Sequence, residues 1–338
     1  MQRMNRREFL KLGSAALAVP MLPGLSRFIT RSVSQPPPAS LGRIAAEERQ
    51  AVFDQPSATA EWIAWKRSDD IFPLYDAVVG EAPWPTNPVW YRTDGGYIHS
   101  SYVQPVENMP SSEVISVVEK PGFWAQVCVP IAEARKRPDS LTVSRRLYYG
   151  TVYRVVNALA DEAGNGWYQL QEGVGYKPGP YVPAWSVRRV LPEELAPISP
   201  DVPDKRIEVN TQDQTLTCFE GDQVVLSCVV STGRKGLITP RGKYRVYHKH
   251  HTDFLIGGSG NDRYSLPGVP YLAYFTNSGI AIHGTYWHND YGRPRSHGCI
   301  NVPMSIAQWI FRWTEPAVPY EVHSLYFKPD KGTPVIVT

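Results

Sequence analysis

The stretch that most constrains the fold of this chain runs from Gly279 to Trp313. Gly279-Ile280-Ala281-Ile282 is a short apolar run ending at His283, the pattern of a buried strand that delivers a polar side chain at its tip. A polar and aromatic loop follows, then Ser296-His297-Gly298-Cys299 leads into Ile300-Asn301-Val302, which predicts a second strand. Pro303 opens a segment in which Ile306, Ile310 and Trp313 recur at helical spacing. Two strands and a helix thus hold one cysteine in a fixed place just after two histidines.

That setting suits a nucleophile. A thiol with a pKa near ~8.5 is mostly protonated at neutral pH, so it needs an imidazole to take the proton and positive charge to hold the thiolate. His283 and His297 are the candidate suppliers. Gly298 lets the backbone turn tightly and bring bare N–H groups close to a substrate carbonyl, as an oxyanion site requires. The residue types fit acyl transfer.

The residues His283-Gly284-Thr285, followed by Ser296-His297-Gly298-Cys299-Ile300-Asn301, resemble the signature of the L,D-transpeptidase (YkuD) catalytic domain. Upstream, Val230-Ser231-Thr232-Gly233 and Thr239-Pro240-Arg241-Gly242 resemble that family's strand end and the turn after it. The resemblance covers roughly residues 203 to 327 and implies a cysteine enzyme acting on peptidoglycan stem peptides. It assigns Cys299 as nucleophile and His283 as general base, oriented by the backbone carbonyl of Gly284. Backbone N–H groups of Gly298 and Cys299 would form the oxyanion site, and Ser296, His297 and Asn301 would shape the nucleophile loop. No cofactor and no metal are implied.

Other readings compete. His283, His288, His297 and Cys299 together supply zinc-type ligands, although their spacings match no recurrent zinc pattern. His248, His250 and His251 follow a predicted strand, Tyr244 to Tyr247, and read as a solvated strand end or cleft rim. Arg241, Arg293 and Arg295 are candidates for pairing with stem-peptide carboxylates, with Arg293 and Arg295 favoured because they lie between the catalytic histidine and cysteine. Tyr286 and Trp287 in the same loop are candidate cleft walls.

Asn5-Arg6-Arg7-Glu8-Phe9-Leu10-Lys11 before a weakly apolar run resembles a twin-arginine export signal. The run is broken by Gly13, Pro20, Pro23 and Gly24 and falls short of the ~20 apolar residues of a spanning helix, so no transmembrane span is expected in the mature protein. The six basic residues of the first 31 against Glu8 give +5 of a net +3, so the rest of the chain sits at −2. A nearly neutral body offers no support for nucleic-acid binding. The expected location is the extracytoplasmic cell envelope, and the expected state is a monomer.

Cys218 and Cys228 lie on two predicted strands joined near Glu220-Gly221-Asp222, and a disulfide between them depends on register. Trp90-Tyr91 with Tyr97 to Val103, and Trp167-Tyr168 with Tyr181 to Val187, form a weak internal repeat resembling the closing hairpins of bacterial SH3-like barrels. A single irregular β domain is the alternative. The expected fold is mostly β. Its parts are a signal at 1–31, a proline-rich tether and short helix at 32–55, the helical composition running from about Leu41 to Phe53, SH3-like domains at 56–110 and 111–192, and a proline-rich linker at 193–203. A β-rich catalytic domain with a packed helix at 204–327 and a C-terminal strand or tail at 328–338 complete it.

The functional expectation is an exported L,D-transpeptidase acting on donor and acceptor stem peptides. From the same site, the alternatives are an L,D-carboxypeptidase or a protein-to-peptidoglycan anchoring activity. A non-catalytic wall-binding protein is the reading from a different class.

Overall fold

The computed structural model describes residues 40–84, 86–172, 177–328 and 331–338. The export-type signal and the Gln35–Pro38 tether lie outside the described residues. The described chain is mostly β, with one ten-residue α-helix, Met304–Trp313.

In the C-terminal part, two five-stranded sheets face the helix. The first runs, edge to edge, Gln223–Val229, Thr215–Glu220, Lys205–Asn210, Pro334–Val337 and Gly242–Arg245. The second runs Ile300–Val302, Ala281–Gly284, Tyr264–Tyr274, His248–Gly257 and Ser324–Tyr326. The helix begins after Pro303 and buries Ile306, Ala307, Ile310, Phe311 and Trp313, the stripe its spacing predicts. The last strand, Pro334–Val337, is interior to its sheet, parallel to Lys205–Asn210 through Ile207 opposite Val335.

Three expectations change. Residues 41–53, expected to be helical, form the strands Ser40–Ile44 and Gln50–Phe53. Ala45 to Gln50 is too short to repay helix nucleation, and Ile44 and Val52, both buried, complete a sheet core. His248, His250 and His251 do not end a strand; the chain crosses between sheets at Val246-Tyr247, and His248 starts a ten-residue strand on which His251 is fully buried. The prolines at 192–203 do not make a free hinge: Leu195 enters the core, and Arg312 Nε donates to the Ala196 carbonyl at 2.7 Å.

Cys218 faces Leu226 and Cys228 faces Leu216 across the hairpin, and both thiols are free.

The N-terminal part has two β units. Residues 40–106 form a three-stranded and a five-stranded sheet, and residues 123–189 form one seven-stranded sheet. In each, a strand runs into a 3-10 turn and a further strand: Gly96–His99, Ser100–Tyr102, Val103–Val106 in one, and Lys177–Pro183, Ala184–Ser186, Val187–Arg189 in the other. The second unit shares the C-terminal core. Trp124 is fully buried, stacks on His251 at 4.6 Å between ring centroids, and donates its indole N–H to the Tyr320 carbonyl at 2.7 Å.

Candidate active site

Ala281–Gly284 and Ile300–Val302 pair in parallel, with His283 opposite Asn301. Ile282, Ile300 and Val302 enter the core, so strand alternation turns His283, Cys299 and Asn301 to the opposite face. The sequence thereby brings His283 and Cys299 to one side of a rigid ladder.

The nucleophile loop is tied down from upstream. Ser231 exchanges two backbone hydrogen bonds with Asn301, at 3.0 and 2.8 Å, and the Thr232 carbonyl accepts the N–H groups of Arg295 and Ser296. Thr239 Oγ1 accepts from Gly233 N–H at 2.9 Å and donates to the Gly298 carbonyl at 2.7 Å. These are the two upstream segments that the sequence marks as a strand end and a turn. Gly298 sits at φ +122°, where a Cβ would press on Ile280 at 3.1 Å, so glycine is needed there.

His283 Nδ1 stands 3.1 Å from the Gly284 carbonyl. A carbonyl only accepts, so Nδ1 carries the proton and Nε2 keeps its lone pair, the tautomer a general base requires. Burial pushes the His283 pKa down to about 4, partly offset by that hydrogen bond, and pushes the Cys299 thiol up to about 11. Between those values the resting pair is neutral imidazole and thiol. From that state, attack by the thiol would require the imidazole to take its proton in the same step.

The oxyanion expectation changes in part. Gly298 N–H is already donated to Ser296 Oγ at 3.0 Å, while Ser296 Oγ donates to the Cys299 carbonyl at 2.5 Å. Ser296 shapes the loop at the expense of one expected donor. His297 is half-buried against Tyr264, at 4.9 Å between ring centroids, and lies 3.3 Å from an Arg234 nitrogen, away from the base position.

The loop residues expected to meet substrate are largely engaged with the first β unit. Arg295 donates to Tyr102 Oη and to Asp290, both at 2.9 Å. Arg293 stacks 3.9 Å over Trp84 and lies 3.7 Å from Asp290. Tyr286 is buried against Tyr148, and its carbonyl accepts from Arg43 at 2.6 Å. Trp287 lies beside His283, at 5.8 Å between ring centroids, and lines the cleft. Arg241 does not line the cleft.

Sequence reading missed the centre of this arrangement. Asp290 is fully buried and accepts from Ser101 Oγ at 3.0 Å, and Asn289 N–H donates to the Ser101 carbonyl at 2.7 Å. An aspartate in a loop with two arginines was the available signal; its partner, 189 residues away, gave none. The result is a cleft of about 1400 Å³ with Cys299, His283 and Trp287 on one wall and Trp65, Trp84 and His99 of the first β unit on another. Among the described residues, no group of three or more His, Cys, Asp or Glu side chains is placed to hold a metal ion, and no helix is long and apolar enough to cross a membrane.

Residues 204–337 match the YkuD family, the L,D-transpeptidase catalytic domain. No curated protein matches the chain. Among solved structures, the Ldtfm–avibactam carbamoyl enzyme is 30% identical over 40% of this chain and 49% of that one, with a TM-score of 0.33. A mutant L,D-transpeptidase of Enterococcus faecium is 29% identical over 40% and 50%, with a TM-score of 0.34. The isolated catalytic domain of the E. faecium enzyme is 28% identical over 40% of this chain and 97% of that one, with a TM-score of 0.32. This chain thus spans about half the length of the first two. The domain that carries His283 and Cys299 is an L,D-transpeptidase catalytic domain, and it extends to the C-terminal strand.

Proposed function

We propose that this protein is an exported L,D-transpeptidase that cross-links peptidoglycan stem peptides through a thioester on Cys299. The observation that carries this reading is the shared face of His283, Cys299 and Asn301, with His283 held as a base by Gly284. His283 Nε2 takes the thiol proton as Sγ bonds to the donor carbonyl carbon and the carbonyl electron pair moves to oxygen. The C–N bond then breaks, the departing amine takes the proton from His283, and a thioester remains. An acceptor amine attacks that thioester and yields its proton through His283, and the C–S bond breaks to restore the thiol.

The cleft supports a large acceptor, since ordinary small-molecule pockets run to about 300–1,000 Å³. With water as acceptor the same steps give an L,D-carboxypeptidase, and with a protein amine they give an anchoring activity. We read the two N-terminal units as SH3-like modules on their matching order of strand, 3-10 turn and strand, and the protein as a monomer in the cell envelope. Incubation with defined disaccharide-tetrapeptide and mass analysis tests the reaction. The expected product is a cross-linked dimer with release of the terminal D-residue; tripeptide alone makes it a carboxypeptidase, and unchanged substrate removes the enzymatic reading.

A further inference from the structure

The sequence offers Arg241, Arg293 and Arg295 as partners for stem-peptide carboxylates, and the structure leaves none of them available. Arg293 and Arg295 are turned to Asp290, and Arg241 lies off the cleft. The cleft nevertheless carries a surplus of positive charge. Six arginines line it against three acidic side chains, Glu47, Glu48 and Asp69. The chain beyond residue 31 is net negative, so this surplus is local. Charge of one sign between low-dielectric walls focuses the field and draws in ligands of the opposite sign.

Most of that charge is already engaged. Arg43 and Arg146 both reach Asp69 at 2.8 Å, and Arg295 reaches Asp290 at 2.9 Å. Arg49 lies 4.2 Å over the Trp65 ring, with Glu47 and Glu48 beside it in the chain, and Arg145 lies 5.3 Å over Phe254. Arg263 differs. It is exposed and lines the cleft, and among the described residues no hydrogen bond or ion pair holds its guanidinium. Its acidic chain neighbour, Asp262, pairs with Arg234 at 2.6 Å instead.

The backbone sets where Arg263 stands. Gly260–Asp262 form a 3-10 turn in the hairpin between His248–Gly257 and Tyr264–Tyr274, and Arg263 N–H closes that turn on the Gly260 carbonyl at 3.3 Å. The next residue, Tyr264, packs on His297, two residues before Cys299. The unengaged guanidinium is thus one residue from a side chain that touches the nucleophile loop.

Resting on the transpeptidase reading of this site, we infer that Arg263 binds a free carboxylate of the donor stem, so that the substrate class is stems whose carboxylates are not amidated. A guanidinium presents parallel N–H donors that match the two oxygens of a carboxylate; a primary amide has one acceptor oxygen and no charge and cannot match them. A stem offers that group at its terminal D-residue and on any internal acidic residue.

The test follows loss of the terminal D-residue from three disaccharide-tetrapeptides by the full chain: one with every carboxylate free, one amidated at the terminus and one amidated internally. In the wild type, kcat/KM should fall about 10-fold, the low end for a hydrogen bond to a charged group, on the stem whose amide replaces the carboxylate that Arg263 binds. That arm identifies the carboxylate. Arg263→Gln should bring the free stem down to the same level with no further loss on that amidated stem. Arg263→Lys keeps the charge without the fork and should fall between. Arg241→Gln, off the cleft, should leave the preference intact. Equal kcat/KM on all three stems in the wild type, or a preference that survives in Arg263→Gln, would overturn the inference and leave the transpeptidase reading standing. Turnover of none of the stems would remove both.

Discussion

The two N-terminal β units meet the catalytic domain in different ways. The second joins it through a shared apolar core: Trp124, Val152 and Val190 pack with Ile207, Phe311 and Trp313 in one continuous cluster. The first joins it through hydrogen bonds, Ser101 to Asp290, Tyr102 to Arg295 and Arg43 to Tyr286, all on the loop between His283 and Cys299. Apolar burial is strong and undirected, whereas buried hydrogen bonds are individually modest and fix geometry. The second unit is thus a foundation of the fold, and the first sets the shape of the active-site loop.

Acid should give the largest effect and should strike the foundation. Burial lowers the pKa of His251 to about 3 and of His323 to about 4 at the second-unit interface, and of His283 to about 4 and His288 to about 3 at the site. The unfolded chain therefore binds more protons below the ordinary histidine pKa of ~6.5. Stability is full above that pH and should fall steadily as pH drops toward about 4, read as a falling Tm; a flat Tm over this range would contradict the burial of these rings. Next, Trp124→Ala should cost about 3–5 kcal/mol in unfolding free energy, the range for removing a large buried aromatic.

Substitutions at the first-unit contact should cost less stability and more rate. Asp290→Ala removes a carboxylate that serves two donors and should cost about 2–3 kcal/mol, with Cys299 acylation slowed more than the loss of folded protein explains. Ser101→Ala should cost about 1 kcal/mol and act in the same direction. Tyr102→Phe comes last, at about 0.5 kcal/mol, because Arg295 remains about a third exposed and solvent screens it. Rates insensitive to all three would make the first unit a passive neighbour of the loop.

This division also marks what the sequence made legible. His283, Cys299 and the helix after Pro303 could be read because strand tips, alternation and the 3.6-residue stripe are local patterns. The engagement of Arg293, Arg295 and Tyr286 was hidden because their partners Trp84, Tyr102 and Tyr148 lie more than a hundred residues away. Leu41 to Phe53 misled for the opposite reason: local composition favoured a helix, and tertiary burial of Ile44 and Val52 decided for strands.

The central claim is that Cys299 becomes acylated with His283 as its base. Acid-quenching the full-length protein during turnover of disaccharide-tetrapeptide, followed by intact and peptide mass analysis, tests it most directly. The account predicts a single thioester adduct, the donor less its terminal D-residue, on the Cys299 peptide. It also predicts no adduct in Cys299→Ala and slower adduct formation in His283→Ala by about 10²–10⁴-fold, the usual contribution of a general base. Turnover by Cys299→Ala, or an adduct on any other residue, would contradict it.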